Sequence, residues 1–391
     1  MRKSVIKMIA VILILSMLVG CGNKGSNTGN ENEIRIGLNY ELSGNVASYG
    51  QQSVDGIMMA FDEINANGGI NGKQIVPVKI DNKSEAGEAT SVATRLMTQE
   101  NVVACLGPAT SGDFMATIPV AMQNSIPVIS SSATADYGVT VDNNGKVNDF
   151  VFRTCYTDAF QGVTLANFAI NNLNATKAVI IQDNSSDYGK GLGENFTKTF
   201  KEAGGEIVAL EGYVAKDKDF NAILTNIKGE DFDVIFIPGY YEEAGLIIKQ
   251  ARDLDIDAPI LGADGFGAPE LTTLAGAENL TNVYFSNHYS SLGEDPQVTE
   301  FVQAFKGKYN GNEPSAFNAL GYDLGYFIAD AIERADSTDP LKIKDALKAT
   351  KDFDGVTGNV TVGDDHNAVK SAFVVELENG VQVSSVQVDP Q

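Results

Sequence analysis

The sequence predicts an α/β fold made of two lobes, each built on a parallel sheet. From Ile34 onward, short apolar runs of strand length alternate with amphipathic helical patterns, which is typical of βαβ units with right-handed crossovers. This alternation starts a second time after the segment FVFRT at 150–154. A chain of 391 residues is long enough for more than one core, so the restart indicates a second lobe.

The first series of elements runs from residue 34 to residue 130. It opens with the strand IRIGLN and the helix GQQSVDGIMMAFDEINANGG, in which Val54, Ile57 and Phe61 fall on one face and two glycines end the pattern. The remaining patterns predict, in order, a strand at 74–81, a helix at 85–100, a strand at 102–107, a helix at 112–124 and a strand at 126–130.

The second series repeats this rhythm. Its patterns predict helices at 160–173, 188–205, 220–228 and 241–254, and strands at 177–183, 206–213, 233–239 and 259–264. Three C-terminal helices are then predicted at 298–309, 315–334 and 341–349. Strand-like segments end the chain at 355–362, 371–380 and 381–388, with a hairpin turn at Asn379-Gly380.

Residues 1–20 have the pattern of a lipoprotein signal peptide. A basic start precedes an apolar run at 8–20 that is short for a membrane span and that ends in LVGC, which resembles a bacterial lipobox. The small polar residues at 21–33 predict a flexible tether. We therefore expect a mature protein anchored to the outer face of the cell membrane by lipid on Cys21. An ordinary signal peptide followed by a chance cysteine is the alternative.

Composition and charge disfavour several classes of function. The formal net charge is -23, and such a chain lacks the clustered Lys and Arg that nucleic-acid phosphates require. The two histidines, His288 and His366, are not in a metal-spaced cluster, so neither a metal nor another cofactor is expected. Cys105 lies in an apolar strand, where burial is the expected role, and a disulfide with Cys155 is the alternative.

Small polar residues follow the predicted strand at 126–130, in the segment IPVISSSATAD. In open α/β sheets, ligands bind beyond the carboxyl ends of the strands. The residues after the other strands are also rich in Ser, Thr, Tyr and Gly, and they contain no evident nucleophile with its base. A solvent-facing loop and the catalytic serine of an extracellular hydrolase are alternatives, but this composition favours a hydrogen-bonding site for a ligand.

Several longer segments carry a specific resemblance. They are YELSGNVASYGQQSVDGIMMAFDEINANGGINGKQI at 40–75, followed by LGPATSG, IPVISSSATAD, DYGKGLGENF, LGADGF and EPSAFNALGYD. In this order and spacing they resemble the extracytoplasmic Leu/Ile/Val-binding proteins, the amino-acid receptors of ABC importers. The resemblance extends from Ile34 to about Val375, which is nearly the whole mature chain.

The resemblance implies the fold of a type I periplasmic binding protein, also called a Venus flytrap. In that fold two Rossmann-like lobes close on one ligand, and three strands cross the hinge. We expect lobe 1 to contain residues 34–153 and 289–367, and lobe 2 to contain residues 154–288 and 368–391. The protein is expected to act as a monomer.

The resemblance also implies roles for particular residues. The hydroxyls of Ser111 and Thr134, with backbone groups of 132–134, would hold the α-carboxylate of an amino acid, and Asp264 would bind its α-ammonium. Tyrosines from lobe 2 would complete this shell on closure, and an aromatic pair from lobe 1 would wall the side-chain pocket. The full predicted set is Tyr49, Thr110, Ser111, Ser132, Ala133, Thr134, Tyr188, Tyr240, Asp264 and Phe317.

These residues also have structural alternatives. Ser111 is suited to cap a helix, Asp264 to a turn, and Phe317 to the core. Thr110 and Ser132 stand where the resemblance leads us to expect Ala or Cys in an aliphatic-selective site. The ligand side chain therefore stays open between a branched-chain amino acid and a small polar one.

The predicted function is that of a lipid-anchored receptor that captures an amino acid and delivers it to an ABC permease, without chemistry on the ligand. A sensor of the same fold that signals to a partner protein is one alternative. A binder of a non-branched amino acid or of another small carboxylate is a second. The sequence alone does not separate these possibilities.

Overall fold

The computed structural model describes residues 32–293 and 295–390. The signal peptide, the lipidated Cys21 and most of the tether predicted above lie outside the described residues. Within the described part, no helix combines the length and the apolar character needed to cross a membrane.

The described residues contain alternating strands and helices. The strands are β1 (Glu33–Tyr40), β2 (Gln74–Asp81), β3 (Ala104–Leu106), β4 (Val128–Ser130), β5 (Val151–Arg153), β6 (Lys177–Asp183), β7 (Glu206–Tyr213), β8 (Val234–Ile237), β9 (Ile260–Gly262), β10 (Val283–Asn287), β11 (Phe353–Gly355), β12 (Gly358–Val362), β13 (Ala368–Val369), β14 (Ala372–Glu378) and β15 (Val381–Val388). The α-helices are α1 (Ala47–Ala66), α2 (Ala86–Gln99), α3 (Ser111–Asn124), α4 (Asp158–Asn171), α5 (Asp187–Glu202), α6 (Asn221–Lys228), α7 (Tyr241–Asp253), α8 (Glu270–Ala275), α9 (Pro296–Lys308), α10 (Ala316–Ala335) and α11 (Pro340–Lys348).

Two large sheets confirm the predicted α/β fold with two lobes. The sheet of lobe 1 has the order β2-β1-β3-β4-β5, and the sheet of lobe 2 has the order β15-β14-β10-β9-β8-β6-β7. Strands β1–β5 and β6–β10 are parallel, and each set follows the same 2-1-3-4-5 order. In such sheets a crevice opens where the strand order reverses, which is next to β1 and β3 in lobe 1 and next to β6 and β8 in lobe 2.

Lobe 2 departs from the predicted pattern at one edge. β10 follows β9 in parallel, but β14 pairs antiparallel with β10, and β15 pairs antiparallel with β14. The segment VYFSN that forms β10 was not among the predicted strands. The turn between β14 and β15 is the predicted one, because Asn379 and Gly380 both have positive φ, at 49° and 74°.

The C-terminal helices α9–α11 pack on lobe 1. Helix α10 lies against α1, and the Asn318 side chain donates a hydrogen bond to the Gln52 carbonyl at 2.8 Å. The close approach of α10 to α1 depends on Gly321, because a Cβ at this position would lie 2.1 Å from the Ser53 carbonyl oxygen. This packing places the N-terminus of α10 beside the face between the lobes.

The chain passes between the lobes three times. The first passage follows β5, which ends at Arg153, and the second follows β10, which ends at Asn287. The third passage follows β13, which pairs with β12 in a small sheet of three strands and is separated from β14 by Lys370 and Ser371.

Candidate functional site

A cavity between the lobes lies at the carboxyl ends of strands from both large sheets. It is narrow, with about 240 Å³ of empty space when the part open to solvent is included, and it is lined by Tyr49, Ala109, Thr110, Ser111, Ser132, Tyr188, Tyr240, Asp264, Gly265 and Phe317. Eight of the ten residues predicted from the sequence are in this lining, and Ala133 and Thr134 are not. A larger cleft, with about 1550 Å³ of empty space, runs along Gln52 and Glu270 but contains none of the predicted residues.

Asp264 is the buried acid of this cavity. It follows β9 and begins a single 3-10 turn, and only 4% of its surface is exposed. The Tyr188 hydroxyl lies 2.7 Å from its Oδ1, and Nε2 of His288 lies 3.0 Å from its Oδ2. Both carboxylate oxygens are therefore held by side chains, which fixes the orientation of the carboxylate.

Tyr188 stands at the start of α5, where Ser186 caps the helix by accepting a hydrogen bond from the Gly189 amide. Its hydroxyl also accepts a hydrogen bond of 2.9 Å from the Gly265 amide. Burial and the negative charge of Asp264 raise the pKa of Tyr188 well above its usual value. The phenol therefore keeps its proton and donates it toward Asp264.

His288 was not predicted as a site residue. It directly follows β10, is 1% exposed, and stacks on Tyr156 with the ring centres 3.8 Å apart. Burial lowers the pKa of His288, so the imidazole is neutral and Nε2–H is the donor to Asp264. The missed strand explains the missed residue, since VYFSN followed by His288 has the same apolar-to-polar ending as the other strands.

Serine hydroxyls join the two loops that follow β3 and β4. Ser130 donates to the Pro108 carbonyl at 2.7 Å and accepts from the Ala133 amide at 3.1 Å. Ser132 donates to the Ala109 carbonyl at 2.9 Å, and Ser111 accepts from an amide of the second loop at 3.1 Å. Ser130 therefore holds the loop in place.

The hydroxyls of Thr110 and Ser132 form hydrogen bonds to protein groups. Thr110 donates to Glu41 at 3.0 Å, and Ser132 donates to the Ala109 carbonyl. The fully buried Glu41 also accepts from the Ala109 and Thr110 amides, at 3.0 and 3.1 Å. These two hydroxyls are satisfied within the protein, which removes the polar character that the sequence suggested for the side-chain pocket.

A neighbouring carboxyl, Asp113 in α3, completes the acidic group beneath these loops. Burial and the charge of Glu41 raise the pKa of Asp113 to about 8. Burial also raises the pKa of Glu41, against the hydrogen bonds that it accepts. The pair therefore retains a proton at neutral pH, because two adjacent carboxylates in a buried position repel each other.

Aromatic rings form the walls of the cavity. Tyr49 stacks on Phe317 with centres 4.4 Å apart, and Tyr188 stacks on Tyr240 with centres 5.0 Å apart and planes 8° from parallel. The Tyr49 hydroxyl of lobe 1 donates to the Gly265 carbonyl of lobe 2 and accepts from the Tyr241 amide at 3.2 Å. Tyr240, and not Tyr241, lines the cavity.

Thr134, predicted to bind a carboxylate, lies in the loop after β4. Its hydroxyl is buried and has no hydrogen-bond partner, although it lies near the buried Asp158. The loop around it is held by Arg153 of β5, which donates to the Ala133 and Ala135 carbonyls at 2.9 and 2.7 Å. The loop is thus fixed in position, with Thr134 next to Asp158 and outside the cavity lining.

The remaining sequence predictions concern metals and cysteines. Within residues 32–293 and 295–390, no group of three or more His, Cys, Asp or Glu side chains could hold a metal ion. Cys105 and Cys155 are buried free thiols, so no disulfide joins them. Burial raises the pKa of Cys155 to about 12, which keeps its thiol protonated.

Two α/β lobes that enclose a small hydrogen-bonding cavity define a bilobal solute-binding protein. The chain belongs to the periplasmic binding protein family, because the sequence model of that family matches residues 33–382. This match includes every residue that lines the cavity.

Similar proteins come from several bacteria. The chain is 30% identical to the leucine-, isoleucine-, valine-, threonine- and alanine-binding protein of Pseudomonas aeruginosa, over 84% of this chain and 85% of that protein. It is 31% identical to the Leu/Ile/Val-binding protein BraC3 of Rhizobium johnstonii, over 87% of this chain and 90% of that protein.

Solved structures show the same architecture. The branched-chain amino acid transporter substrate binding protein LivJ of Streptococcus pneumoniae, solved in complex with isoleucine, is 45% identical and superposes with a TM-score of 0.86, over 92% of this chain and 100% of that one. The leucine binding protein LivK of Thermotoga maritima is 33% identical with a TM-score of 0.84, over 91% of this chain and 99% of that one.

Proposed function

We propose that this protein captures one amino acid between its lobes, with a branched-chain amino acid as the preferred ligand, and delivers it to an ABC permease. The observation that carries the proposal is the buried Asp264 carboxylate, oriented by Tyr188 and His288 in an aromatic-walled cavity. The names of the similar binding proteins support the same ligand class.

The α-ammonium group of the ligand binds Asp264. A buried carboxylate is costly unless a cation or several donors compensate it. Tyr188 and His288 supply two neutral donors, which leaves the negative charge to attract a ligand cation. A carboxylate oxygen accepts more than one hydrogen bond, so the ammonium binds without displacing these donors.

The α-carboxylate binds on lobe 1, at the loops after β3 and β4. The Ser111 hydroxyl accepts one hydrogen bond from the Ala135 amide, so its own proton is free to donate. The Thr134 hydroxyl, buried beside Asp158 in the loop after β4, would be a second donor if it turns toward the ligand. The first amides of α3 add the positive end of a helix dipole, which favours an anion.

The ligand side chain lies against Tyr49 and Phe317. Their stacked rings present apolar surface, and the nearby Thr110 and Ser132 hydroxyls are occupied by protein acceptors. An aliphatic side chain makes no hydrogen bonds with water, so the cavity does not have to replace any. Its transfer from water to the apolar wall is favourable. This favours leucine, isoleucine or valine over a small polar amino acid.

Binding is coupled to closure of the lobes. Ser111 and Phe317 belong to lobe 1, whereas Tyr188 and Asp264 belong to lobe 2, so the ligand contacts both lobes only when they approach. A ligand with more contacts in the closed form shifts the population toward it. The three chain passages serve as the hinge.

The location follows from the predicted N-terminus. Lipid on Cys21 holds the mature chain at the outer face of the membrane, and the polar segment at 21–33 lets it reach a permease. The family of periplasmic binding proteins supports an extracytoplasmic location. Mass spectrometry of the protein from the native membrane tests the anchor, because a diacylated Cys21 at the new N-terminus is the expected product.

Isothermal titration calorimetry of the chain from residue 22 onward tests the ligand class. The panel contains leucine, isoleucine, valine, alanine, serine and glutamate, with benzoate as a carboxylate that lacks an ammonium group. We expect the three branched-chain amino acids to bind most tightly and benzoate not to bind. Tight binding of benzoate with no binding of any amino acid would contradict the proposed ligand class.

A further inference from the structure

We infer that His288 is a positioning residue for the amino-acid ammonium group: its Nε2–H donates to Asp264 and keeps that carboxylate aimed at the ligand. The inference rests on the proposed function. Its geometric basis is the distance of 3.0 Å between Nε2 of His288 and Oδ2 of Asp264, with both side chains almost fully buried.

The surroundings of Asp264 explain why a donor is needed. No lysine or arginine in the part of the chain that the structure describes makes an ion pair with Asp264. The buried Asp158 lies nearby but supplies no positive charge, and burial raises its pKa well above the usual value, so that it keeps its proton. Without strong donors, a buried carboxylate is not held in one orientation and its desolvation is not compensated.

The groups that face His288 favour a neutral ring with its proton on Nε2. Asp264 accepts from Nε2, whereas Nδ1 is buried and has no hydrogen-bond partner. A charged imidazole would place a second N–H donor at Nδ1 without an acceptor, which is costly. The cation of Lys370 also disfavours a charged ring, and the stacked Tyr156 offers its face only.

His288 also joins the acid to the hinge. It directly follows β10, at the second passage between the lobes, and its ring stacks on Tyr156 within 12° of parallel. Tyr156 follows β5, at the first passage. The orientation of Asp264 therefore depends on two hinge segments through one imidazole ring, which couples the ammonium site to the relative position of the lobes.

Two substitutions separate the donor from the ring. His288→Phe keeps an aromatic ring for stacking on Tyr156 but removes the N–H group, whereas His288→Gln keeps an N–H donor of similar reach and loses the ring. His366→Phe is the matched control, since His366 is also buried and stacks on an aromatic ring, Phe152, at 4.3 Å, but lies away from the cavity.

Calorimetry with L-isoleucine at pH 7 measures the outcome. We expect His288→Phe to weaken binding about ten- to a hundredfold, because Asp264 loses one of the two side-chain donors that orient it. His288→Gln should retain affinity within about fivefold of the wild type. Equal losses in both variants would overturn the inference.

A measurement on the unchanged residue covers the case in which a His288 variant does not fold. In the His366→Phe variant, His288 is the one histidine, and nitrogen NMR of its ring reports the tautomer directly. We expect a neutral ring protonated on Nε2 from pH 6 to 8, with a shift change on adding L-isoleucine. A charged ring or a proton on Nδ1 would overturn the inference.

The wild-type titration distinguishes the two proposals. If the wild type binds L-isoleucine and His288→Phe binds it equally well, only the role of His288 is lost. If the wild type binds no amino acid in the panel, the proposed function is lost, and the role of His288 with it.

Discussion

The hydroxyl of Tyr188 lies 2.7 Å from a carboxylate oxygen of Asp264, although the two residues are 76 positions apart in the chain. One follows β6 and the other follows β9, so both stand at the carboxyl edge of the lobe 2 sheet. The contact lies in the cavity that also receives Ser111 and Phe317 from lobe 1.

Removing the charge of Asp264 should nearly abolish binding. Asp264→Asn keeps the shape of the side chain, but the ammonium group of the ligand loses its partner in a buried site. We expect the affinity for L-isoleucine to fall by a factor on the order of a hundred or more, as measured by calorimetry. Asp264→Glu should bind more tightly than Asp264→Asn, and equal affinities would contradict an electrostatic role.

Removing only the hydroxyl of Tyr188 should have a smaller effect. Tyr188→Phe keeps the stack on Tyr240 and removes two hydrogen bonds, one to Asp264 and one from the Gly265 amide. We expect roughly a tenfold loss of affinity for L-isoleucine and a lower midpoint of thermal unfolding, because the buried amide loses its acceptor. An unchanged dissociation constant would show that the hydroxyl does not support the acid.

A methyl group at Gly265 should disturb the same contact. Its Cβ would lie 2.7 Å from the Gly239 carbonyl and 3.0 Å from the Tyr188 hydroxyl. We expect Gly265→Ala to weaken binding about tenfold or more, because the hydroxyl has to move away from Asp264. Gly87→Ala is the matched control, since a Cβ there meets no atom within 4 Å, and it should bind like the wild type.

Truncating Phe317 should change selectivity more than it changes binding in general. The ring stacks on Tyr49 at the wall assigned to the ligand side chain. We expect Phe317→Ala to reduce the affinity for leucine roughly tenfold and the affinity for alanine about threefold or less, because only leucine reaches the wall. Equal reductions in affinity for leucine and alanine would indicate that the ligand side chain does not lie against Phe317.

The raised pKa of Asp113, about 8, predicts a pH-dependent effect on stability. Between about pH 4 and about pH 8 the folded protein keeps this proton, whereas the unfolded chain releases it, so this group stabilises the fold less as the pH rises. Asp113→Asn removes the dependence. In urea unfolding, the free energy of unfolding of the variant should therefore rise relative to that of the wild type by at most about 1.4 kcal/mol for each pH unit in this range. A difference that is constant with pH would contradict the assignment.

The order of strands and helices was predictable because each element has its own hydrophobic period and its own terminating residues. The hairpin at Asn379-Gly380 and the long helix α10 are examples, and the resemblance located Tyr49, Ser111 and Asp264 in one cavity. β10 was missed because its apolar run, Val283 to Phe285, is only three residues long.

The direction of a side chain was not predictable. Thr110 and Ser132 seemed to make the pocket polar, but their hydroxyls turn to Glu41 and to the Ala109 carbonyl. Glu41 is 69 positions from Thr110, and no local pattern relates the two. A side chain's hydrogen-bond partner depends on which buried group is nearby after folding. Neither a hydrophobic period nor a local sequence motif contains that information.

The most direct test compares L-isoleucine with its analogues that lack one charged group. We expect the deaminated acid and the decarboxylated amine each to bind the wild type at least about a hundredfold more weakly than L-isoleucine. Asp264→Asn should lose most of the discrimination between L-isoleucine and the deaminated acid. Equal binding of that acid and L-isoleucine to the wild type would show that Asp264 does not hold the ammonium group.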